Sequence, residues 1–230
     1  MNNLMQESIF FGMAISLFSY EIGLLVKRKL KKAIFNPLLI SVAVVIIFLL
    51  VFHIDYETYN SGAKYLSYLL TPATVCLAVP LYQQLHLLKQ NAKAVILGIL
   101  SGVITSLTCV FLLSKLFGLN HQQYVTMLPK SITTAIGMGA AEEMGGIVTI
   151  TVSSIIITGI LGNVMAELIC KLFRITDPVA KGIAIGTSAH AVGTAKALEM
   201  GEVEGAMSSL AIAVAGLLTV IMASFYANLM

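Results

Sequence analysis

Long apolar stretches that carry almost no charged side chains constrain the fold of this chain most strongly. Residues 9–26 form one such stretch, which is interrupted only by Glu21. The stretches without any Asp, Glu, Lys or Arg are residues 33–54, 65–82, 94–114, 144–166 and 205–230. A bilayer core of about 30 Å needs roughly 20 mostly apolar residues per spanning helix. The sequence therefore predicts an all-α integral membrane protein with about six full transmembrane helices.

The composition agrees with this interpretation. Hydrophobic residues make up 58% of the 230 residues and charged residues only 11%, whereas soluble domains are about one quarter charged. We therefore expect residues 1–230 to form a single, multi-pass transmembrane domain. The net charge of +3 is concentrated in the loops, so it indicates membrane topology and not nucleic-acid binding.

The basic cluster KRKLKK at residues 27–32 sets the predicted orientation of the chain. It follows the first apolar stretch, whereas a signal peptide carries its basic residues before the apolar run. We therefore expect the first helix to be retained. Short loops rich in Lys and Arg stay in the cytoplasm, so the amino terminus is predicted to face outside.

Two prolines interrupt the third apolar stretch. Pro72 and Pro80 lie in the sequence LTPATVCLAVPLY. Each proline removes a helical hydrogen bond and clashes with the preceding turn. A kinked or broken helix is therefore predicted over residues 65–83.

The segment SITTAIGMGAAEE at residues 131–143 is too short and too rich in Gly, Ser and Thr for an ordinary lipid-facing span. It either crosses the membrane or enters and returns on the same side. Lys130 and Lys196 belong to the glycine-rich segments themselves; of the other twelve basic residues, ten lie inside and two outside if the segment returns, and seven lie inside and five outside if it crosses. The positive-inside rule favours re-entry.

A second segment, TSAHAVGTAKALEMG at residues 187–201, resembles the first when shifted by 56 positions. Six of fifteen positions are identical, including Gly137 with Gly193 and Glu143 with Glu199. One span separates the two segments, so they enter from opposite faces if both are re-entrant. The sequence therefore predicts two glycine-rich re-entrant or broken helices that form an inverted repeat.

These two segments supply the candidate substrate site. Non-helical backbone persists at membrane depth only where protein or a water-filled cavity satisfies it, and in secondary transporters such segments meet near the midplane. Neutral hydroxyl groups can bind a carboxylate, and Lys130 and His190 add positive potential. We expect Thr134 and His190, which are equivalent at the shift of 56, to face each other. The predicted substrate-binding residues are Lys130, Ser131, Thr133, Thr134, Gly137, Thr187, Ser188, His190, Gly193 and Thr194.

Each candidate also has a structural interpretation. Small residues at helix crossings serve close packing, and GILSG at residues 98–102 is interpreted in this way. His190 either contacts substrate or protons or makes a structural hydrogen bond. Glu143 and Glu199 either take part in proton coupling or are solvated at helix ends, and Lys196, like Lys130, either contributes charge or snorkels to the interface.

Signatures of enzymes and metal sites are missing from the sequence. It contains no HExxH, GxSxG or GxxxxGK[ST] motif. Cys76, Cys109 and Cys170 have no metal-binding or CxxC spacing. We therefore expect no enzymatic activity, no metal site and no cofactor.

Four separated motifs identify a family resemblance. LTPATVCLAVPLY, LPKSITTAIGMG, GGIVTITVSSIIITGILG and FRITDPVAKGIAIGTSAHAVGTAKALEMGEVEGAMSS together resemble the LrgB/CidB family of bacterial membrane proteins. The resemblance runs from about residue 36 to the end of the chain. It implies a location in the bacterial cell membrane.

The resemblance implies two different kinds of function. Members are described as holin-like or antiholin-like proteins that act with a small LrgA/CidA-like membrane partner on murein hydrolase activity and cell lysis. Related proteins, including the plastid glycolate/glycerate translocator, carry small monocarboxylates, and some bacterial pairs handle pyruvate. The residue pattern favours a transporter for pyruvate, glycolate or a similar acid, because a holin pore needs oligomerising amphipathic spans. A holin-like pore or regulatory component is the alternative, and a homo-oligomer is compatible with either.

Overall fold

The computed structural model of the chain describes residues 10–30, 35–76 and 78–230. All regular secondary structure within these residues is helical. The α-helices are α1 (Phe11–Leu30), α2 (Pro37–Val51), α3 (Tyr56–Ala63), α4 (Leu70–Cys76), α5 (Ala78–Gln83), α6 (Leu85–Leu116), α7 (His121–Met127), α8 (Thr134–Glu143), α9 (Val148–Leu172), α10 (Pro178–Met200) and α11 (Glu202–Ala227). A 3₁₀ helix at Lys64–Leu69 connects α3 to α4.

Three of the described helices, α6, α9 and α11, are long and apolar enough to cross a membrane. The shorter α2 is also apolar. These helices confirm the prediction of an all-α membrane protein. The count of six full spans stays a prediction, because α1 contains Glu21 and ends in the basic residues Lys27, Arg28 and Lys29.

The chain forms two compact units, Met1–Cys76 and Leu77–Met230. In the first unit, α1 packs against α2 and α3. The hydroxyl groups of Ser16 and Tyr59 lie 2.7 Å apart and link α1 to α3. The expectation of one transmembrane domain over residues 1–230 stays a prediction.

The two prolines of the third apolar stretch lie in short helices. Pro72 is the third residue of α4 and Pro80 the third residue of α5. Proline is tolerated in the first turn of a helix, because the backbone N–H that it lacks would have no partner inside the helix. The kink or break predicted over residues 65–83 stays a prediction, because residue 77 lies outside the described residues.

The core of the second unit lies between α6, α7, α10 and α11. On α6 the buried apolar residues recur every four positions as Val95, Ile99, Val103 and Leu107. This spacing places them on one face of the helix. Helices α10 and α11 approach closely because Gly182 has no side chain: a Cβ atom there would lie 2.5 Å from the carbonyl oxygen of Glu204.

Helix α10 is a hairpin with its tip at His190, where φ is 42° and ψ is −142°. Ala189, just before the tip, lies against Gly162 of α9. Lys196, six residues after the tip, pairs with Glu167, which is nearer the carboxyl end of α9; its Nζ lies 2.7 Å from Glu167 Oε1. The second arm of α10 therefore runs back toward the carboxyl end of α9.

The first arm of α10 starts at the same end of α9. A crevice of about 750 Å³ is lined by Arg174, just after α9, by Lys181 from the first arm and by Glu199 from the second arm. Because both arms begin or end at this crevice, α10 enters and returns on one side. We call it the α10 hairpin.

Helices α7 and α8 form a second hairpin, joined by the non-helical residues 128–133. Thr126 of α7 connects its base to the start of α9: the N–H of Ile147 donates to Thr126 Oγ1 at 2.8 Å, and Thr151 Oγ1 donates to the carbonyl oxygen of Thr126 at 2.9 Å. The segment after α8 therefore returns to the level of α7. We call this element the α7–α8 hairpin.

The two hairpins enter from opposite ends of α6 and α9. The α7–α8 hairpin lies between the carboxyl end of α6 and the amino end of α9, whereas the α10 hairpin starts at the carboxyl end of α9. On α6 their tips approach within one turn of each other. Thr187 lies beside Gly102, and Ser131 Oγ lies 3.2 Å from Ser106 Oγ. This arrangement agrees with the predicted pair of opposed re-entrant segments, but the hairpins begin at His121 and Pro178, earlier than the predicted segments 131–143 and 187–201.

The tips meet at a point well inside the length of α6. Ser106 is ten residues from the carboxyl end of α6, which corresponds to about 15 Å along the helix. This is about half of the 30 Å bilayer core. On α9, both hairpins contact Ile155: His190 Nε2 lies 2.9 Å from its carbonyl oxygen, and Gly137 lies against its side chain.

Candidate functional site

A cleft of about 960 Å³ runs between α6, α9 and the first arm of α10. Asn91 and Asp177 line it at the end where the α10 hairpin starts. Cys109 and Lys130 line it near the tip of the α7–α8 hairpin. Both hairpin tips therefore contribute to one cavity within the second unit.

Hydroxyl groups dominate the polar lining of the cleft. They belong to Ser101, Thr105, Ser106, Ser131, Thr158, Thr187 and Ser188. Among the described lining residues, only Lys130 and Asp177 carry charge. Asp177 caps α10, because its Oδ1 accepts a hydrogen bond from the N–H of Ala180 at 2.8 Å. The part of the cleft near the hairpin tips is consequently hydroxyl-rich and weakly positive.

Lys130 begins a short chain of polar contacts at the tip of the α7–α8 hairpin. Its Nζ donates to Ser131 Oγ at 2.9 Å, and Ser131 Oγ lies 3.2 Å from Ser106 Oγ. Within the described part of the chain, no carboxylate lies within ion-pair distance of Lys130. An ammonium group has three donors, so Lys130 retains the capacity to bind an anion.

Thr187 contributes an unsatisfied hydroxyl from the α10 hairpin. Its side chain is 6% exposed, and Oγ1 has no hydrogen-bond partner among the described residues. Leaving a buried polar group unpaired costs about 1–3 kcal/mol. Gly102 makes room for this side chain, since a Cβ atom at Gly102 would lie 2.7 Å from Thr187 Cγ2. The residue lines the cleft, but its hydroxyl oxygen is itself shielded from solvent.

Four predicted site residues therefore line the same cleft: Lys130, Ser131, Thr187 and Ser188. The sequence predicts ordinary helix packing for Gly98 and Gly102, and Ser106 is not among the predicted site residues. Gly98 does pack against Ile183, but it also lines the cleft with Gly102 and Ser106. Their spacing of four residues places small side chains on one helix face, which in the sequence is a signal of a close helix contact but not of a cleft.

The structure places three further predicted residues behind the cleft lining. His190 is 3% exposed, and its Nε2 donates to the carbonyl oxygen of Ile155. Thr194 Oγ1 donates to the carbonyl oxygen of His190 at 3.0 Å and lies 2.6 Å from Ser208 Oγ. Gly193 packs against the first arm of α10. The structural interpretation of His190 thus has a specific partner, whereas its substrate or proton role stays a prediction.

Thr133, Thr134 and Gly137 lie at the start of α8 and are not among the residues that line the cleft. Thr133 is the N-cap of α8, with extended backbone and no side-chain capping bond. Gly137 is buried against Ile155. The predicted apposition of Thr134 and His190 stays a prediction.

The remaining charged candidates lie at the bases of the hairpins. Lys196 contacts Glu199 at 3.3 Å as well as Glu167. It therefore belongs to an ion-pair cluster at the base of the α10 hairpin. Glu143 is the exposed last residue of α8. Proton coupling through Glu143 or Glu199 stays a prediction.

Comparisons with known proteins place this architecture in a family. The model of the LrgB-like family matches residues 16–229, so the match begins before the predicted start near residue 36. Proteins named Antiholin-like protein LrgB from Bacillus cereus (strain B4264) and Bacillus anthracis (strain CDC 684 / NRRL 3495) are each 40% identical to this chain over 213 residues. These alignments cover 92% of this chain and 93% of each relative. No solved structure matches the chain.

Proposed function

Because the chain belongs to the LrgB-like family of bacterial membrane proteins and its two hairpins meet at a polar cleft, we propose that it transports small monocarboxylates such as pyruvate or glycolate. The observation that carries this proposal is that one cavity is lined both by Lys130 and by Thr187, whose hydroxyl group is unsatisfied. One group comes from each hairpin. The substrate would lie between them.

The chemistry of the cleft suits a single carboxylate. A buried unpaired charge costs several kcal/mol, so a carboxylate that leaves water needs several donors aimed at it. Lys130, Ser131 and Thr187 provide such donors, and a hydrogen bond to a charged group contributes roughly 1.5–3 kcal/mol. One lysine at the tips matches a monoanion better than a dianion.

The opposed hairpins favour transport over simple binding. In secondary transporters, broken helices of inverted repeats meet near the midplane, and one part of the protein rocks or gates around a fixed site. Here each hairpin enters from a different side and contributes polar groups to the cleft, Lys130 and Ser131 from one hairpin and Thr187 and Ser188 from the other. Movement of either hairpin would change access from its own side.

A regulatory role in cell lysis is the second candidate function. The relatives named above carry the name antiholin-like protein. In this alternative the chain would act with an LrgA/CidA-like partner and influence murein hydrolase activity without carrying a substrate. An effect on lysis is also compatible with transport, because it would then be secondary to the movement of carboxylate or protons across the membrane.

Uptake by purified protein in sealed vesicles tests the proposal. Labelled pyruvate or glycolate should enter saturably and be competed by the unlabelled acid, with or without an LrgA/CidA-like partner. Lys130→Met should lose most of this uptake. Lys89→Ala is the matched control, because Lys89 is exposed on α6 and does not line the cleft.

The same vesicles distinguish the two functions. Entrapped neutral dye should stay inside if the chain is a carrier. Leakage of the dye without saturable uptake would contradict the proposal and support a pore. If the vesicles show neither saturable uptake nor dye leakage, the result would support a regulatory component.

A further inference from the structure

The break in α10 falls on a residue that is poorly suited to its backbone conformation. A φ of 42° with ψ of −142° lies in a region that is occupied mainly by glycine. Glycine occurs nearby at Gly186 and Gly193, yet the break is at His190. Such outliers persist only where the surrounding structure determines them. The imidazole must therefore supply contacts that glycine lacks.

The imidazole connects the tip of the α10 hairpin to α9. Because a carbonyl oxygen only accepts hydrogen bonds, His190 Nε2 donates to Ile155. Gly159, one turn further along α9, leaves the space for the ring. A Cβ atom at Gly159 would lie 2.6 Å from His190 Cε1 and 2.8 Å from Nε2. His190 and Gly159 are consequently a matched pair.

Neighbouring side chains satisfy carbonyl groups around the break. The carbonyl oxygen of His190 accepts from Thr194 Oγ1 at 3.0 Å. The carbonyl oxygen of Val192 accepts from Asn163 Nδ2 at 2.7 Å. Inside a membrane, backbone groups freed by a helix break need such partners. The turn is therefore fixed from both α9 and the second arm of α10.

This turn also determines where the first arm of α10 ends. Thr187 lies three residues before His190, and Thr187 and Ser188 line the cleft whereas His190 does not. We infer that His190 is a positioning residue that fixes the hairpin tip against Ile155 and thereby holds Thr187 at the cleft. The expected effect of His190 on transport rests on the proposed function. Its expected effect on the position of the hairpin tip does not depend on any substrate.

Cysteine labelling measures that geometry without a transport assay. A Thr187→Cys variant would be made in a background in which Cys76, Cys109 and Cys170 are replaced by serine. The probe is an anionic methanethiosulfonate, applied to membranes. His190→Ala should change the labelling rate by about tenfold or more, because the loss of one hydrogen bond releases the tip. His190→Gln should stay within about twofold of the parent, because its amide N–H can replace the imidazole donor.

A matched control separates local repositioning from general unfolding. Ser101→Cys lies on α6 and lines the same cleft, so its labelling should not respond to His190→Ala. Equal labelling of Thr187→Cys with histidine and with alanine at position 190 would overturn the inference. If His190→Ala does not reach the membrane, His190→Gln decides: a rate changed by more than about tenfold contradicts the inference, and a rate like the parent's supports it.

Uptake distinguishes positioning from proton transfer. If His190 acts through Thr187, His190→Ala should add little to the effect of Thr187→Val, whereas independent sites add. His190→Gln should retain uptake, because glutamine donates a hydrogen bond but does not titrate. Additive effects, or a Gln variant as inactive as the Ala variant, would contradict positioning. Failure of the parent to take up any carboxylate would overturn the proposed function and leave the labelling result standing.

Discussion

The α10 hairpin and the α7–α8 hairpin reach the same depth by different means. The α10 hairpin turns at the single residue His190, and ion pairs such as Lys196 with Glu167 connect its base to α9. The α7–α8 hairpin turns over the six residues 128–133, and hydrogen bonds of Thr126 connect its base to α9. One tip presents a neutral hydroxyl and the other an ammonium group. Opposed segments with related sequences have thus become chemically distinct halves of one cleft.

The bases of the two hairpins should be accessible from opposite faces of the membrane. A single cysteine at Gln122, at the base of the α7–α8 hairpin, should label only from outside. A single cysteine at Thr176, just before the α10 hairpin, should label only from the cytoplasm. Both side chains are exposed. Labelling of both positions from the same side, measured with a membrane-impermeant thiol reagent on intact and on opened cells, would refute the opposed arrangement.

The charged tip should make the larger contribution to substrate binding. Lys130→Met should lower Vmax/KM for uptake by roughly 10- to 100-fold, because a charge-assisted hydrogen bond contributes about 1.5–3 kcal/mol. Lys130→Arg should recover part of the loss, since it restores the charge. Uptake kinetics at matched protein levels measure the effect. Parent-like kinetics of Lys130→Met would show that the carboxylate binds elsewhere.

The base of the α7–α8 hairpin should depend on Thr126, which is 1% exposed. Thr126→Val keeps the shape of the side chain but removes the acceptor of the Ile147 N–H. We expect a loss of about 1–3 kcal/mol in stability, the cost of an unsatisfied buried donor. Thermal unfolding in detergent measures it. Ser153→Ala is the control, because Ser153 is exposed and bonds only to Thr149 in its own helix; an equal loss in both variants would argue against a special role of Thr126.

Replacing Thr187 at the neutral tip of the α10 hairpin should raise the stability of the protein but weaken substrate binding. Thr187→Val removes an unsatisfied hydroxyl, so it should stabilise the substrate-free protein by about 1 kcal/mol. The same change should raise KM for uptake by about tenfold, since one donor to the carboxylate is lost. Melting temperature and uptake kinetics of one preparation test both effects. A lowered melting temperature would mean that the hydroxyl already has a stabilising partner.

The sequence predicted which segments reach the cleft better than it predicted which of their residues face the cleft. The charge count and the similarity of the two glycine-rich segments predicted two opposed re-entrant segments, and both are present as hairpins. Thr187 and Ser188 line the cleft, but His190 and Thr194 on the same hairpin lie behind it. The side of a hairpin that a residue occupies depends on where the helix breaks and on which neighbour it packs against. Neither the position of the helix break nor the packing neighbour can be predicted from a single sequence.

The same reason explains why Ser106 was not predicted. It lies in a long apolar stretch, where a serine at a helix crossing is usually a packing residue. Its role depends on Ser131, which is 25 positions away in the chain and 3.2 Å away between the hydroxyl oxygens. Contacts of this kind become visible only when the two hairpins are placed together.

Protection of both tips by one substrate tests the central claim most directly. Single cysteines at Ser131 and at Thr187, in a background without native cysteines, would be labelled in membranes with increasing concentrations of pyruvate or glycolate. If one carboxylate binds between the hairpins, both cysteines should be protected with the same half-maximal concentration, while the base position Gln122→Cys should show no protection. Unchanged labelling of both tip cysteines, at concentrations that saturate uptake, would contradict the account.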